Sequence, residues 1–243
     1  MKTQDNGWDS SATGWLAAIG EHGDFSRQHV LDGPMMARVN GHSYRNALDI
    51  GSGEGRFCRM LRDAGLDPIG IEPTEALRDA AQARDPAGRY LDAKAENLPF
   101  EDSSFDLVVS YLTLIDIDEI EISISEMARV LRPGGALLIA NLNSFATAGS
   151  WRRREDGTDY FVMDNYLEAR AEWASWSGIT VRNWHRPFSF YVQLLLASGL
   201  QLTHFDEPEP QGGEAFGTKR YRRMPFHHVM EWIKPGENSE ETG

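Results

Sequence analysis

Short apolar runs along this chain alternate with longer segments whose apolar residues recur at helical spacing. Ala47-Leu48-Asp49-Ile50, Pro68-Ile69-Gly70-Ile71, Arg89-Tyr90-Leu91-Asp92 and residues 105–110 and 136–141 read as strands. The centre of the fourth, Leu107-Val108-Val109, is continuously apolar, as a parallel strand covered on both faces requires. The spacing predicts helices between them. One covers residues 54–64 and stops at Gly65, a left-handed cap. A second covers 75–84, with Thr74 as N-cap and Pro86 beyond its end. A third runs from Asp116 and Asp118, whose charges favour the helix dipole, to Leu131. A helix over 188–197 and strands over 200–205 and 226–232 follow. Strict alternation of strand and helix implies an α/β, doubly wound, mostly parallel sheet, here of seven strands.

Three stretches depart from that rhythm. Residues 1–40 read as an N-terminal helical cap: a polar, frayed start over 1–10, then helical segments over 12–19, 23–29 and 34–39. Residues 143–187 hold Trp151, Tyr160, Phe161, Tyr166, Trp173, Trp176 and Trp184, with four of the chain's seven Trp, and the basic run Arg152-Arg153-Arg154. Such a segment reads as a lid or pocket wall, and equally as a subdomain with a small core of its own. Residues 235–243 are acidic and read as a disordered tail. The core is thus 41–142, completed by 188–234 after the insertion.

Composition narrows the class. A chain of 243 residues is long enough for one α/β domain with a lid and a filled core. The net charge of −13 argues against a nucleic-acid face, which must be basic, and against electrostatic membrane attachment. There is no membrane-spanning apolar run and no basic-then-apolar leader, so a soluble, cytoplasmic protein is expected; a monomer and a homodimer are both open. The single Cys, Cys58, excludes an intramolecular disulfide and reads as a small core residue. No grouping of His, Cys and carboxylates has metal-ligand spacing, so no metal is expected.

The chemistry concentrates in Ala47-Leu48-Asp49-Ile50-Gly51-Ser52-Gly53-Glu54-Gly55-Arg56-Phe57: a strand, a glycine-rich turn and the start of a helix. Gly51, Gly53 and Gly55 let the backbone approach a ligand, and the turn presents amide N–H groups at a helix start. A dinucleotide pattern would need a third Gly at position 56, where Arg56 stands. Asp49 beside the turn suits a cationic ligand. Glu72, 21 positions after Gly51 at the end of the second strand, is placed to accept hydrogen bonds from ribose hydroxyls.

On these residues the chain resembles the class I S-adenosylmethionine-dependent methyltransferases, of the bacterial small-molecule type. Their first motif is almost letter for letter Ala-Leu-Asp-Ile-Gly-Ser-Gly-Glu-Gly. Arg132-Pro133-Gly134-Gly135 matches the family's turn before the fifth strand, and residues 93–100 resemble its D-A-E-x-L-P-F segment. The likeness is close over 45–142 and looser over 185–234. It implies S-adenosylmethionine as cofactor, leaving as S-adenosylhomocysteine. The implied cofactor residues are Asp49, Gly51, Ser52, Gly53, Gly55, Glu72, Pro73, Ala95, Glu96, Asn97, Ser110 and Tyr111. Lys94 departs from the family pattern, since an ammonium cannot accept a bond from the adenine amino group. That role passes to Glu96 and the Ala95 backbone.

The resemblance also implies that N-terminal helices fold over the cofactor, which makes Trp15, Phe25 and Arg27 candidates for the acceptor pocket. Tyr111, Trp184 and Tyr191 complete the expected substrate set, with the arginine run free to steer an anionic acceptor. Ser110-Tyr111-Leu112 lacks the (N/D)PP(Y/F) motif of base-modifying amino methyltransferases, so a small-molecule acceptor is expected. Oxygen is the foremost acceptor atom, with nitrogen, sulfur and carboxyl open. His185, between the insertion and the next helix, is the candidate base, and a helix-capping or core role for it stays open. Two other functions remain in play: a nicotinamide-dependent oxidoreductase, opposed by Arg56, and a nucleoside-binding protein without catalysis.

Overall fold

The computed structural model describes residues 6–213 and 218–236. Its chain opens with α1 (Trp8–Ile19), a π-helical turn over Arg27–Leu31 and α2 (Asp32–Asn40). Then come β1 (Asn46–Ile50), α3 (Arg56–Asp63), β2 (Asp67–Ile71), α4 (Glu75–Arg84), β3 (Arg89–Leu91), β4 (Phe105–Tyr111), α5 (Ile120–Val130) and β5 (Leu131–Leu142). A short α6 (Ser144–Thr147) leads into β6 (Gly149–Arg153), β7 (Asp159–Met163), β8 (Arg170–Trp176) and β9 (Ile179–His185). The chain closes with α7 (Phe188–Ala197), β10 (Gln201–Asp206), α8 (Thr218–Tyr221) and β11 (His227–Ile233).

Seven strands form one sheet in the order β10-β11-β5-β4-β1-β2-β3. The pairs from β3 through β5 are parallel, whereas β11 runs antiparallel to both β5 and β10. The apolar alternation decides which face each side chain enters. Leu48, Ile50, Val108, Leu137 and Ile139 pack with Ile124, Met127, Leu195 and Trp232 on the α5/α7 side. Ala47, Leu107, Val109, Leu138 and Ala140 pack with Leu31, Met35, Phe57 and Leu61 on the α2/α3 side. Successive residues of one strand thus feed opposite layers, which is why the central strands carry no polar face. Each buried Leu or Ile contributes about 1.5–3 kcal/mol of transfer free energy.

Several boundaries differ from the sequence expectation, each for a local reason. Helix α3 starts at Arg56 rather than residue 54, because Gly55 adopts a left-handed conformation and keeps Glu54 in the turn. Helix α5 starts at Ile120, so Asp116 and Asp118 lie in the loop before it and are not its first turn. Arg132-Pro133-Gly134-Gly135 is no interruption before the fifth strand. It is an irregularity inside β5, where the register with β4 jumps from Phe105↔Leu131 to Leu107↔Ala136. Thr74 precedes α4 without a side-chain cap on it; its hydroxyl is turned to Glu72.

The aromatic insertion folds as two antiparallel hairpins, β6–β7 and β8–β9. Trp8, Asp9 and Ser10, read as part of a frayed start, belong to α1. The expected tail begins within the described residues at 235 and 236; its remainder, like residues 1–5, lies outside them.

Between β10 and β5, Glu231 of β11 is 2% exposed and takes a bidentate Arg38 from α2, at 2.9 Å to each oxygen. Burial raises this carboxyl's pKa, but its bonds to Arg38 and Thr203 outweigh that and leave it below the usual range. Removing Arg38 strands a buried carboxylate, so Arg38→Ala should destabilise the fold by about 3 kcal/mol in chemical denaturation. Because the carboxyl's folded-state pKa is depressed, that contribution is present above the unfolded pKa. It should fade as pH falls into the acid range, so the gap between wild type and variant narrows there.

Candidate active site

The turn between β1 and α3 is shaped by positions that only glycine fills. Gly51 has φ 65°, and a Cβ there would lie 2.4 Å from Thr113 Cγ2. Gly53 has φ 55° and no atom within 4 Å of a would-be Cβ, so its bare face meets open space. The turn is locked sideways onto β2: the Ser52 N–H donates to the Ile71 carbonyl at 2.9 Å. The Gly53 N–H donates to Glu72 Oε2 at 3.0 Å, while Glu72 Oε1 accepts the Thr74 N–H at 2.8 Å. Each Glu72 oxygen keeps lone-pair capacity for a further donor. Burial pushes its pKa up, opposed by the bonds from Thr74 and Gly53.

Asp49, at the base of the turn, is 2% exposed. Burial pushes its pKa up to about 7; the Cys58 thiol, donating at 3.4 Å, opposes this, and the charges of Glu72 and Glu54 add to it. Cys58 is therefore the buried core residue expected, with its S–H spent on Asp49.

Arg56 anchors the cap to this turn. Its Nε donates to the His22 carbonyl at 2.8 Å, and its fork grips both oxygens of Asp32 on α2. The Tyr111 hydroxyl donates to the same Asp32 at 2.8 Å. The residue that breaks the dinucleotide pattern thus holds the N-terminal segment over the glycines.

Above the turn lies a cavity of about 940 Å³. Its floor is the turn, the segment from Glu72 to Leu77 and residues 93–96; one wall is the loop 111–119 after β4. The roof comes from sequence-distant pieces: Trp8, Trp15, Ile19 and Arg27 of the cap, Ala174, Trp176 and Asn183 of the β8–β9 hairpin, and Tyr221, Phe226 and His227. Cap and hairpin are stitched together, since Thr180 of β9 exchanges hydrogen bonds with the Ser11 hydroxyl at 2.9 Å each way. The Arg182 N–H also donates to the Asn6 carbonyl at 2.9 Å.

A family model described as a methyltransferase domain matches residues 48–139. The malonyl-[acyl-carrier protein] O-methyltransferase of Pectobacterium atrosepticum is 30% identical over 178 residues, 71% of this chain and 70% of that protein. The demethylmenaquinone methyltransferase of Renibacterium salmoninarum is 32% identical over 108 residues, 44% of this chain and 45% of that protein. In fold, an S-adenosylmethionine-dependent methyltransferase from Mesorhizobium loti superposes with a TM-score of 0.71 at 22% identity, covering 86% of this chain and 97% of that one. The chain belongs to the class I S-adenosylmethionine-dependent methyltransferases. Its cofactor is S-adenosylmethionine.

The floor fits that molecule: a bare glycine face for close approach, a carboxylate with spare lone pairs for a ribose, and a buried acid for a cationic end. Of the cofactor residues expected for this methyltransferase, Asp49, Gly51, Ser52, Gly53, Glu72, Pro73, Ala95, Glu96 and Tyr111 line the cavity. Gly55 stands just behind as the residue preceding α3. Ser110 and Asn97 are off the wall. Ser110 is sealed inside β4, and the Asn97 N–H closes a turn onto the Lys94 carbonyl at 3.2 Å.

Among the acceptor residues, Trp15, Arg27 and Tyr111 reach the cavity, Arg27 lying over the rings of Trp15 and Tyr111 at 4.9 and 5.8 Å. Trp184 and Tyr191 are not on its wall. Trp184 lies against Arg186 at 4.4 Å and donates to Asp118 at 2.7 Å, and Tyr191 is buried in the α5/α7 layer. Phe25 likewise packs on His29 and Tyr221 rather than lining the cavity. The arginine run sits on the β6–β7 hairpin, away from the wall.

His185 requires a correction. It is 2% exposed, off the wall, and both ring nitrogens are engaged, with the Thr147 hydroxyl at 2.7 Å and the Tyr166 carbonyl at 2.8 Å. Burial lowers its pKa, so it stays a neutral strut between the hairpin and α6. Asp116, Asn183 and His227 also line the cavity, although the sequence did not mark them for it. The one signal available for Asp116 was its position as an acid at the C-terminal edge of the central strands, where ligands bind in such sheets.

Gly51→Ala should abolish tight S-adenosylhomocysteine binding in calorimetry, because the new methyl collides with Thr113 and demands a strained φ. The ionised form of Asp49 is the one that pairs with a cation, and its pKa in the ligand-free protein is about 7. S-Adenosylhomocysteine affinity should therefore be full above pH 7 and fall by up to about tenfold per unit below it.

Proposed function

We propose that this enzyme methylates a small-molecule acceptor enclosed between the N-terminal cap, the β8–β9 hairpin and the cofactor floor. The observation that carries this reading is the composition of the cavity above the glycine turn. Its floor offers Asp49 and Glu72 beside a glycine turn, whereas its roof is walled by Trp8, Trp15, Trp176, Tyr221 and Phe226. On this reading Glu72 accepts the ribose hydroxyls, Asp49 faces the ammonium of the cofactor's amino-acid end, and Glu96 with the Ala95 backbone meets the adenine edge. The cap and second hairpin serve as the lid, and their rings keep water from an apolar or aromatic acceptor.

The bound cofactor supplies a methyl group already activated on a sulfonium. What remains for the protein is to hold the acceptor in line with that methyl, an orientation effect worth several kcal/mol. Trp15 and Arg27 do this from the roof and Tyr111 from the wall, with Arg27 fixed by its ion pair to Asp24 at 2.9 Å. The relatives act on a malonyl-acyl carrier protein and on demethylmenaquinone, so the acceptor of this chain is read from its own wall. Among the described residues, no group of three or more His, Cys, Asp or Glu side chains could hold a metal ion. Among them, too, no helix is long and apolar enough to cross a membrane.

Isothermal titration should show S-adenosylhomocysteine binding and no binding of NAD; the reverse result overturns the proposal. Glu72→Ala should weaken that binding by about 1.5–3 kcal/mol, the worth of a hydrogen bond to a charged group. S-Adenosylhomocysteine release during turnover should be unaffected by EDTA.

A further inference from the structure

We propose that Asp116 takes the proton of the methyl acceptor, and that the acceptor is accordingly an O–H or N–H nucleophile rather than a carboxylate. This deepens the methyltransferase reading above and rests on it. Of the acids on the cavity wall, three are already paired with arginines: Asp24 with Arg27, Glu54 with Arg59 and Arg84, and Asp118 with Arg182. Asp49, Glu72 and Glu96 belong to the cofactor floor. Two acids are left on the acceptor side, both in the loop between β4 and α5: Glu119, which is exposed to solvent, and Asp116, which is less exposed and held by a donor from the roof.

That loop is held rigidly. Arg186, 3% exposed, donates from behind to the carbonyls of Leu114, Ile117 and Asp118 at 3.2, 2.7 and 3.0 Å. The Trp184 N–H donates to the Ile115 carbonyl at 2.6 Å, and the Thr113 hydroxyl to the Ile50 carbonyl at 3.0 Å. The Asp116 side chain is aimed by two neutral donors from the roof: the Asn183 amide at 2.6 Å to Oδ1, and the Trp8 indole N–H. Neither donor carries charge, so the carboxyl is oriented without being neutralised. A carboxylate has about four lone-pair sites, so two donors leave room for the acceptor's proton.

The groups facing Asp116 come from every element around it. Glu72, beyond β2, disfavours its charge and Arg27, from the π-helical turn, favours it; Asp118 on its own loop is occupied by Arg182. Burial outweighs all of these and pushes the Asp116 pKa up to about 7, in the range where a carboxylate removes a proton effectively near neutrality. The same charge would repel a carboxylate acceptor.

The step balances. As the acceptor heteroatom forms its bond to the methyl carbon, the carbon–sulfur bond breaks and its electron pair stays on sulfur as the neutral thioether. The acceptor's proton passes to an Asp116 oxygen and then to solvent.

The test uses the full chain and its Asp116→Asn variant, with tyramine as amine and phenol probe and 3-phenylpropionate as carboxylate probe. S-Adenosylhomocysteine calorimetry comes first; a wild type that fails to bind it overturns the methyltransferase reading, not the assignment of Asp116 within it. Carboxyl ¹³C NMR should show two aspartates titrating near pH 7 in the wild type, Asp49 and Asp116, and one in the variant. With S-adenosylmethionine held saturating at every pH, so that Asp49 does not limit the rate, wild-type turnover of tyramine should rise with pH to a plateau just above 7. The variant should bind S-adenosylhomocysteine normally, lose that pH limb and turn over at least about 10²-fold more slowly. Variant turnover within threefold of wild type with the same pH limb would overturn the proposal. So would preferential methylation of 3-phenylpropionate, or turnover of neither probe by a wild type that binds S-adenosylhomocysteine.

Discussion

The Glu72 carboxylate is the joint between the parts of this site. One oxygen holds the Gly53 amide and the other the Thr74 amide, so the turn after β1 and the entry to α4 are tied through one buried group. The constraint is costly, because a nearly enclosed carboxylate loses its water and receives only neutral donors in return. Asp49, equally enclosed and close enough to feel its charge, adds to that cost. The result is a floor with an electrostatic deficit that a ligand carrying hydroxyls and positive charge would relieve. A floor built this way is organised before its ligand arrives.

The roof follows a different logic. It carries little of the main core and is assembled from segments far apart in sequence, joined by specific polar contacts. Arg56 and Tyr111 meet on Asp32 to hold the cap down, and Ser11 and Asn6 fasten the cap to β9. Because the hairpin and cap support one another, the cavity gains its aromatic walls only when both are in place. Arg186 extends the same principle inward: a buried cation whose partners are backbone carbonyls fixes the loop carrying Asp116. The floor is thus set by regular structure and the roof by long-range polar stitching.

The chain's own letters determined a great deal: the alternating layers, the parallel strands of the sheet, the glycine turn and the acid that ends β2. These are local properties. A continuous apolar run fills both layers, a glycine permits a left-handed φ, and an acid at a strand end sits where α/β sheets bind ligands. On the glycine turn and that acid rests the family resemblance that implied the class of enzyme and its cofactor. Tertiary structure alone decided which polar side chains face the acceptor. His185 and Asp116 are comparable in the sequence, each a titratable residue beside apolar neighbours and other charges. Folding closes His185 between Thr147 and Tyr166 and opens Asp116 onto the cavity, through contacts spanning many tens of residues. No local pattern encodes that choice, since it depends on where two hairpins and an N-terminal helix dock.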